Sequence, residues 1–307
     1  MEWSNAMITD DKTPIISHQA EGTGLDLEAI RARLIANQDQ LKLPLGETLN
    51  LLDQLAAFEL GRFLLRHRGL NGYWTAYLIL QGPHRQDLSP LEQWILHRAP
   101  VFRATRERFF IFQRLIQERL RPDMSLASIP CGLMDDLLSL DYSMTPNVRL
   151  TGIDLDAETL SQAQTQAAAK ANPPAVSFLQ RNAWQLEVMA AFDLIASNGL
   201  NIYEPDDPTV IKLYRQFQRA LKPKGVLITS FLTPPQVLTK DSLWKDTPVE
   251  DLRQQAAIFG DIIGAKWQVF RTEPQMREHF DQAGLDVQDI IYDSQAMFPT
   301  IIAEKRG

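Results

Sequence analysis

One cysteine in 307 residues, Cys131, leaves no intramolecular disulfide to form, and no Cys/His spacing resembles a zinc site. That pattern suits a reducing compartment and argues against thiol redox chemistry. Five histidines, His18, His67, His84, His97 and His279, are scattered without metal-ligand spacing, in segments read mostly as helical surface or loop. None is assigned a catalytic role, and no metal is expected. Long apolar runs are missing too: none approaches the ~20 residues that cross a bilayer, and the N-terminus lacks the basic region and apolar stretch of a secretory signal. A cytoplasmic protein with no membrane partner is the expectation. Finally, basic charge is not in excess. The 31 Lys and Arg against 38 Asp and Glu give a formal charge of −7, so no long-range field draws nucleic acid or anionic lipid. Nucleic acid is not the expected partner.

What is present is a 45% hydrophobic chain, long enough for two moderate domains and free of internal repeats. Ser4-Asn5-Ala6 before Met7 looks like a cleavage scar, so residues 1–6 are set aside. Between Leu25 and Leu120 apolar residues recur at helical spacing, as in Leu27, Ile30, Leu34 and Leu52, Leu55, Ala56. Ser89-Pro90-Leu91-Glu92 places an N-cap serine, a proline at the first helical position and a glutamate at N3, which starts a helix. Phe102, Phe109, Phe112, Leu115 and Ile116 form the stripe of another, ending near Pro122. Residues 7–122 therefore read as an all-helical N-terminal domain, either a cap or a dimerisation unit.

Residues 123–307 change to short β-branched runs alternating with helical segments, the pattern of a parallel sheet wrapped by helices. The strands fall at Leu126–Pro130, Arg149–Asp154, Val176–Gln180, Phe192–Ser197, Gly225–Phe231, Val287–Tyr292 and Met297–Ala303. The last two are too close for a parallel crossover and should pair antiparallel. The fold class is thus α/β, a Rossmann-like doubly wound seven-stranded sheet with an antiparallel last strand. A stretch at about 233–272 breaks the βα rhythm and reads as an insert that could cover a site.

In open α/β sheets the ligand crevice lies beyond the carboxyl ends of the strands. There the first strand runs into Pro130-Cys131-Gly132, a turn that permits close backbone approach but equally reads as a structural βα turn. About 20 residues on, Asp154 ends Gly152-Ile153-Asp154-Leu155, where nucleotide-binding folds place the acid that accepts from ribose hydroxyls. Helix capping is its other reading, a role that Asp156 or Thr159 could fill instead. Asn182-Ala183 after the third strand could read a nucleobase edge, or form a solvated turn. Asn198, Asn201 and Tyr203 follow the fourth strand as candidate substrate contacts, with Tyr203 able to position or deprotonate a hydroxyl. Tyr73, Trp74, Tyr77 and Trp94 could line an apolar substrate chamber or pack a bundle core or dimer interface. Arg103, Arg106 and Arg108 read as a charged helix face.

Taken in order, Pro130-Cys131-Gly132, Gly152-Ile153-Asp154-Leu155, Asn182-Ala183, Phe192-Asp193-Leu194-Ile195 and Leu221-Lys222-Pro223-Lys224-Gly225 resemble the motifs of class I S-adenosylmethionine-dependent methyltransferases, over roughly residues 122–307. The resemblance implies S-adenosylmethionine as cofactor, with Asp154 and Leu155 at the ribose, Asn182 and Ala183 at the adenine, Pro130, Cys131 and Gly132 beside the methionyl moiety, and Asn198 in the crevice. The first loop departs from the family. Where an acidic residue and alternating glycines are usual, this chain has Ser128, Pro130, Gly132 and Met134. The implied reaction is in-line methyl transfer, which needs alignment and desolvation more than acid–base groups. Its acceptor reads as a small organic molecule, because no signature of nucleobase methylation follows the fourth strand. Two other readings stand beside it: a non-catalytic binding or regulatory protein with an eroded first loop, and a nicotinamide-dependent oxidoreductase, which would need a Gly-x-Gly-x-x-Gly turn absent here. A homodimer stays open, since an amphipathic pattern does not separate core from interface.

Overall fold

The computed structural model describes residues 24–265 and 269–307. The cleavage-scar reading at Ser4-Asn5-Ala6, and His18, lie outside them. Helices α1 (Leu27–Ala36), α2 (Leu45–Ala57), α3 (Glu59–His67), α4 (Gly72–Ala76), α5 (Pro90–His97) and α6 (Pro100–Gln117) build the N-terminal half, and α4 continues as a π-turn over Tyr77–Gln81. Ser89 caps α5 by accepting from the Glu92 N–H, with Pro90 at the first position, as the local sequence dictates. Proline at the start of α6 likewise fits where no intrahelical N–H bond is lost.

The rest alternates strand and helix: β1 (Ser125–Ser128), α7 (Asp135–Leu138), β2 (Arg149–Asp154), α8 (Ala157–Ala168), β3 (Ala175–Gln180), β4 (Phe192–Ser197), α9 (Asp207–Ala220) and β5 (Leu221–Ser230). After α10 (Val249–Gln255) and a π-turn come α11 (Glu273–Ala283), β6 (Leu285–Ile291) and β7 (Thr300–Lys305). The seven strands lie in the order β3-β2-β1-β4-β5-β7-β6. β1 to β5 are mutually parallel, and β7 runs antiparallel to both β5 and β6. This is the Rossmann-like seven-stranded sheet with an antiparallel last strand. The sequence did not show that β7 inserts between β5 and β6.

Several boundaries move. β1 ends at Ser128 rather than Pro130, because Pro130 has no N–H for the ladder and turns the chain through a cis Ile129–Pro130 bond. β5 begins at Leu221, before Gly225, with a register shift against β4 around Phe192/Leu194. β7 starts at Thr300 rather than Met297, since Met297 and Phe298 are drawn into the helical core.

Three apolar clusters hold the chain together. One joins α2, α3, α5 and the first half of α6 to Trp244, Ile258, Phe259 and Ile262 of the insert. The other two pack opposite faces of the sheet, one under α9 and α11, the other under α7, α8 and the second half of α6. α6 therefore runs from the helical core onto the sheet, so its central turn lies where the two meet. The insert is expected as a cover over the site, yet none of its described residues lines the main cavity. It braces the helical half instead: Trp94 Nε1 donates to Asp251 Oδ1 at 2.8 Å, and Arg98 pairs with the same oxygen at 2.9 Å.

Candidate active site

The C-terminal ends of β1, β2 and β4 open into a chamber of about 250 Å³, roofed by α4 and α6. Asp154, last residue of β2, anchors its floor. Its Oδ2 accepts the Gly132 N–H at 3.1 Å and its Oδ1 the Asp156 N–H at 3.1 Å. Burial raises the Asp154 carboxyl above the ordinary range, opposed by those two N–H groups. Helix capping falls to Asp156, whose Oδ1 accepts from the Glu158 and Thr159 N–H groups at the start of α8. Asp154 is thereby left facing the crevice.

A narrower recess of about 30 Å³ continues past Asp154 and Pro130 to Leu155, Asn182 and Ala183. Asn182 Oδ1 accepts the Trp184 N–H at 3.0 Å, which fixes the turn after β3 and sets Ala183 against the recess. The two spaces share Pro130, Asp154 and Leu200, so one crevice runs from the β3 side toward β4.

The first loop winds tightly at Gly132, with φ +51°, and at Met134, with φ +63°. Cys131 is held by its N–H to Ile153 O at 2.9 Å, and burial pushes its thiol pKa up, so it is no nucleophile at neutral pH. The acid usual in the family at the end of β1 is here Ser128. Its hydroxyl donates at 2.7 Å to Asp136 Oδ2 from α7, so a carboxylate reaches this place from the next element. Burial raises the Asp136 carboxyl to about 7, against hydrogen bonds from the Ser128 hydroxyl and the Leu137 N–H that favour its ionised form. Asp136 lines the chamber and escaped sequence reasoning, because its pairing with Ser128 depends on the turn between them.

Beyond β4, Asn198 lines the chamber and its Oδ1 accepts from Ser230 Oγ at 3.1 Å. Tyr203 lines it as well, with a phenol that burial pushes far above its ordinary pKa. The phenol therefore keeps its proton at neutral pH, which suits positioning and argues against deprotonating a substrate. Asn201, expected as a substrate contact, turns away: it is buried and its Nδ2 donates to Tyr214 at 3.0 Å.

Of the two readings of the N-terminal aromatics the bundle core holds: Tyr77 and Trp94 are buried in the helical core, Trp74 packs against it, Tyr73 is exposed, and none of the four lines the chamber; Tyr77 donates to Glu92 and Trp94 to Asp251. The apolar wall is Ile79, Val101, Phe102, Phe109 and Phe298. The three arginines of α6 are not one charged face. Arg103 is exposed and Arg106 caps the carbonyls of Leu78 and Leu96 at 3.1 and 2.5 Å, but Arg108 is 7% exposed and lines the chamber. Spacing carried that signal: Arg108 stands three after Thr105 and four before Phe112, on the buried stripe. His279 is also buried, with Asp207 Oδ2 at 3.5 Å from its Nε2. Among the described residues, no group of three or more His, Cys, Asp or Glu could hold a metal ion, and no helix is long and apolar enough to cross a membrane.

A family model described as a methyltransferase domain matches residues 128–225. The crystal structure of a "possible exported protein" from Bordetella parapertussis is 42% identical, covers 92% of this chain and 94% of its own, and superimposes with a TM-score of 0.87. A candidate O-methyltransferase from Nostoc punctiforme, 17% identical, covers 76% of this chain and 67% of its own with a TM-score of 0.50. The magnesium protoporphyrin IX methyltransferase of Synechocystis, solved with S-adenosylhomocysteine, is 13% identical over 76% of this chain and 98% of its own, with a TM-score of 0.49. No curated protein sequence matches the chain significantly.

Proposed function

Residues 128–225 match a methyltransferase domain, and we propose that the chain is a class I S-adenosylmethionine-dependent methyltransferase that transfers a methyl group to a small organic acceptor held between α6 and the ends of β4 and β5. The observation that carries this reading is Asp154. A carboxylate offers about four lone-pair directions; the Gly132 and Asp156 N–H groups use two of them, and the Leu155 N–H adds a weaker contact. Those remaining suit the paired hydroxyls of a ribose.

The rest of the crevice fits the group. Ala183 and Leu155 offer an apolar slot and Asn182 fixes the turn beside it, on the side suited to adenine. A Cβ on Gly132 would stand 3.4 Å from the Gly72 Cα, so a side chain there would fill the space beside the methionyl path. Asp136 and the loop carbonyls would face the cofactor's ammonium group. S-adenosylmethionine supplies a methyl carbon activated by a sulfonium; the residues of this chain need only align an acceptor behind it and exclude water. The apolar wall of Ile79, Val101, Phe102 and Phe109 does the second, and Asn198 with the protonated Tyr203 phenol can do the first. The chamber's volume of about 250 Å³ favours a small molecule over a polymer, and the lone thiol Cys131 suits the cytosol.

Calorimetric titration with S-adenosylmethionine and S-adenosylhomocysteine tests this reading. Saturable binding to both, weakened at least tenfold by Asp154→Ala, is expected. No binding by the wild-type chain would overturn it. Cofactor binding without turnover is a second reading, favoured by two features of the first loop: Pro130 offers no N–H and Met134 carries a side chain at a left-handed position. A tight complex that methylates no member of a broad acceptor panel would support it.

A further inference from the structure

Arg108 sits in the middle of α6, where the helical core meets the sheet; it lines the chamber, and its guanidinium reaches Ser230 at the end of β5. Its neighbours hold it without neutralising it. Nη1 donates to Ser230 Oγ at 3.3 Å, and the guanidinium carbon lies 4.3 Å from the centre of the Phe298 ring. Its Nε is buried with no hydrogen-bond partner. Asp293 and the Tyr203 phenol are the groups that face it; Asp293 directs its oxygens to the N–H groups of Gln295, Met297 and Phe298, and none of the ion pairs among the described residues involves Arg108. A buried donor left unmade costs roughly 1–3 kcal/mol, more when charged, and such groups in native proteins are normally satisfied by a partner. Burial holds this guanidinium below its ordinary pKa, to about 10, still a cation at neutral pH.

The position says whose partner it is. Asp154 and the Asn182–Ala183 recess put the nucleoside over β2 and β3, whereas Arg108 contacts the end of β5, with β1 and β4 between. Neighbouring strands lie about 4.8 Å apart, so the guanidinium stands well away from the ribose site. Around it the wall is apolar: Val101, Phe102, Phe109 and Phe298. The Ser230 hydroxyl that accepts from Arg108 donates in turn to Asn198, which ties the cation to the loop after β4.

We propose that the acceptor is a carboxylic acid with an apolar body, and that Arg108 binds its carboxylate at the β5 end of the chamber. The proposal rests on the methyl-transfer reading for what becomes of the bound acid. A planar guanidinium suits a carboxylate with parallel N–H donors; Ser230 occupies Nη1, and the buried Nε, which no group of the chain partners, is left as a donor on the other edge of the fork. Arg108 thereby selects acids over neutral analogues of the same shape.

The test measures binding of benzoate and hexanoate against benzamide and hexanamide to protein loaded with S-adenosylhomocysteine. Each acid is expected to bind at least tenfold tighter than its amide. Arg108→Gln should erase that difference while leaving the affinities for S-adenosylhomocysteine and 5′-methylthioadenosine within twofold. Arg108→Lys should keep a weaker preference for the acids, which separates loss of charge from loss of fold. Acids that bind no better than their amides overturn the proposal. So does an Arg108→Gln variant that loses S-adenosylhomocysteine tenfold but keeps 5′-methylthioadenosine, since the carboxylate would then be that of the cofactor's own tail. If the wild-type chain binds no S-adenosylhomocysteine, the methyl-transfer reading falls, and the acid-against-amide comparison in unloaded protein still decides what Arg108 binds.

Discussion

The backbones of Gly72 and Gly132 meet: a Cβ on Gly72 would stand 2.9 Å from the Gly132 Cα and 3.1 Å from Thr159 Cγ2. The first turn of α4 thus rests directly on the loop after β1, and the helical half closes the crevice through backbone contact. Gly72→Ala puts a methyl group into that seam. Because the nearest atoms are backbone, the loop or the helix must shift. We expect affinity for S-adenosylhomocysteine to fall at least tenfold, with a loss of stability of about 1–3 kcal/mol typical of overpacking. Unchanged calorimetric affinity would show that the roof is not needed for cofactor binding.

Much of this architecture was legible because buried parallel strands read as short apolar runs with sharp ends. Arg149–Asp154 and Phe192–Ser197 stand where the sequence put them, and the crevice follows from the ends of such strands. What was missed depends on neighbours distant in sequence. Arg108 differs from Arg103 and Arg106 by its angle around α6; its spacing puts it on the buried stripe, but the partners it meets there, Ser230 and Phe298, come from distant parts of the chain. Tyr77 and Trp94 have apolar bodies with polar tips, and Glu92 and Asp251 claimed those tips first. Asp136 takes the place of an acid missing from β1, but its sequence position lies eight residues later.

Asp136 also carries a pH dependence. Its carboxyl rises to about 7 in the folded chain through burial, with Asp135 adding to the rise and the Ser128 hydroxyl and Leu137 N–H opposing it. Between the ordinary carboxylate value, near 4, and about 7, the native state holds a proton that the unfolded chain has released. Stability contributed by this group therefore falls as pH rises through that window and is lost above it. Asp136→Asn removes the titrating group. Urea midpoints at pH 5 and pH 8 should differ less in the variant than in the wild type; an identical difference would mean that Asp136 titrates normally.

Arg271 fastens the loop that carries Tyr203. It is buried, and its guanidinium donates to Asp207 Oδ1 at 2.9 Å, to Asn201 O at 2.6 Å and to Glu204 O at 2.7 Å. Lysine offers one ammonium in place of this fork, so Arg271→Lys leaves buried carbonyls without donors. A loss of about 3 kcal/mol in urea unfolding is expected, within the range for breaking a buried charged network. Faster amide exchange should appear across residues 198–207, ahead of global unfolding. Exchange that stays protected there would place the loop's rigidity elsewhere.

Met134 sets two costs against each other. Its φ of +63° is left-handed, a conformation that costs a residue with a Cβ roughly 1–2 kcal/mol relative to glycine. Its side chain, however, is fully buried in the cluster between α6, α7 and β1. Deleting a buried methionine side chain costs about 2–5 kcal/mol. The packing loss outweighs the relief of strain, so Met134→Gly, although it restores the residue common in the family, should lower stability by about 1–3 kcal/mol. Cofactor affinity should move the other way or stay level, because the variant opens space beside Gly132 without touching Asp154. A variant that is both more stable and a weaker binder would reverse this assignment: the Met134 side chain would then belong to the cofactor site, and its backbone strain would outweigh its packing.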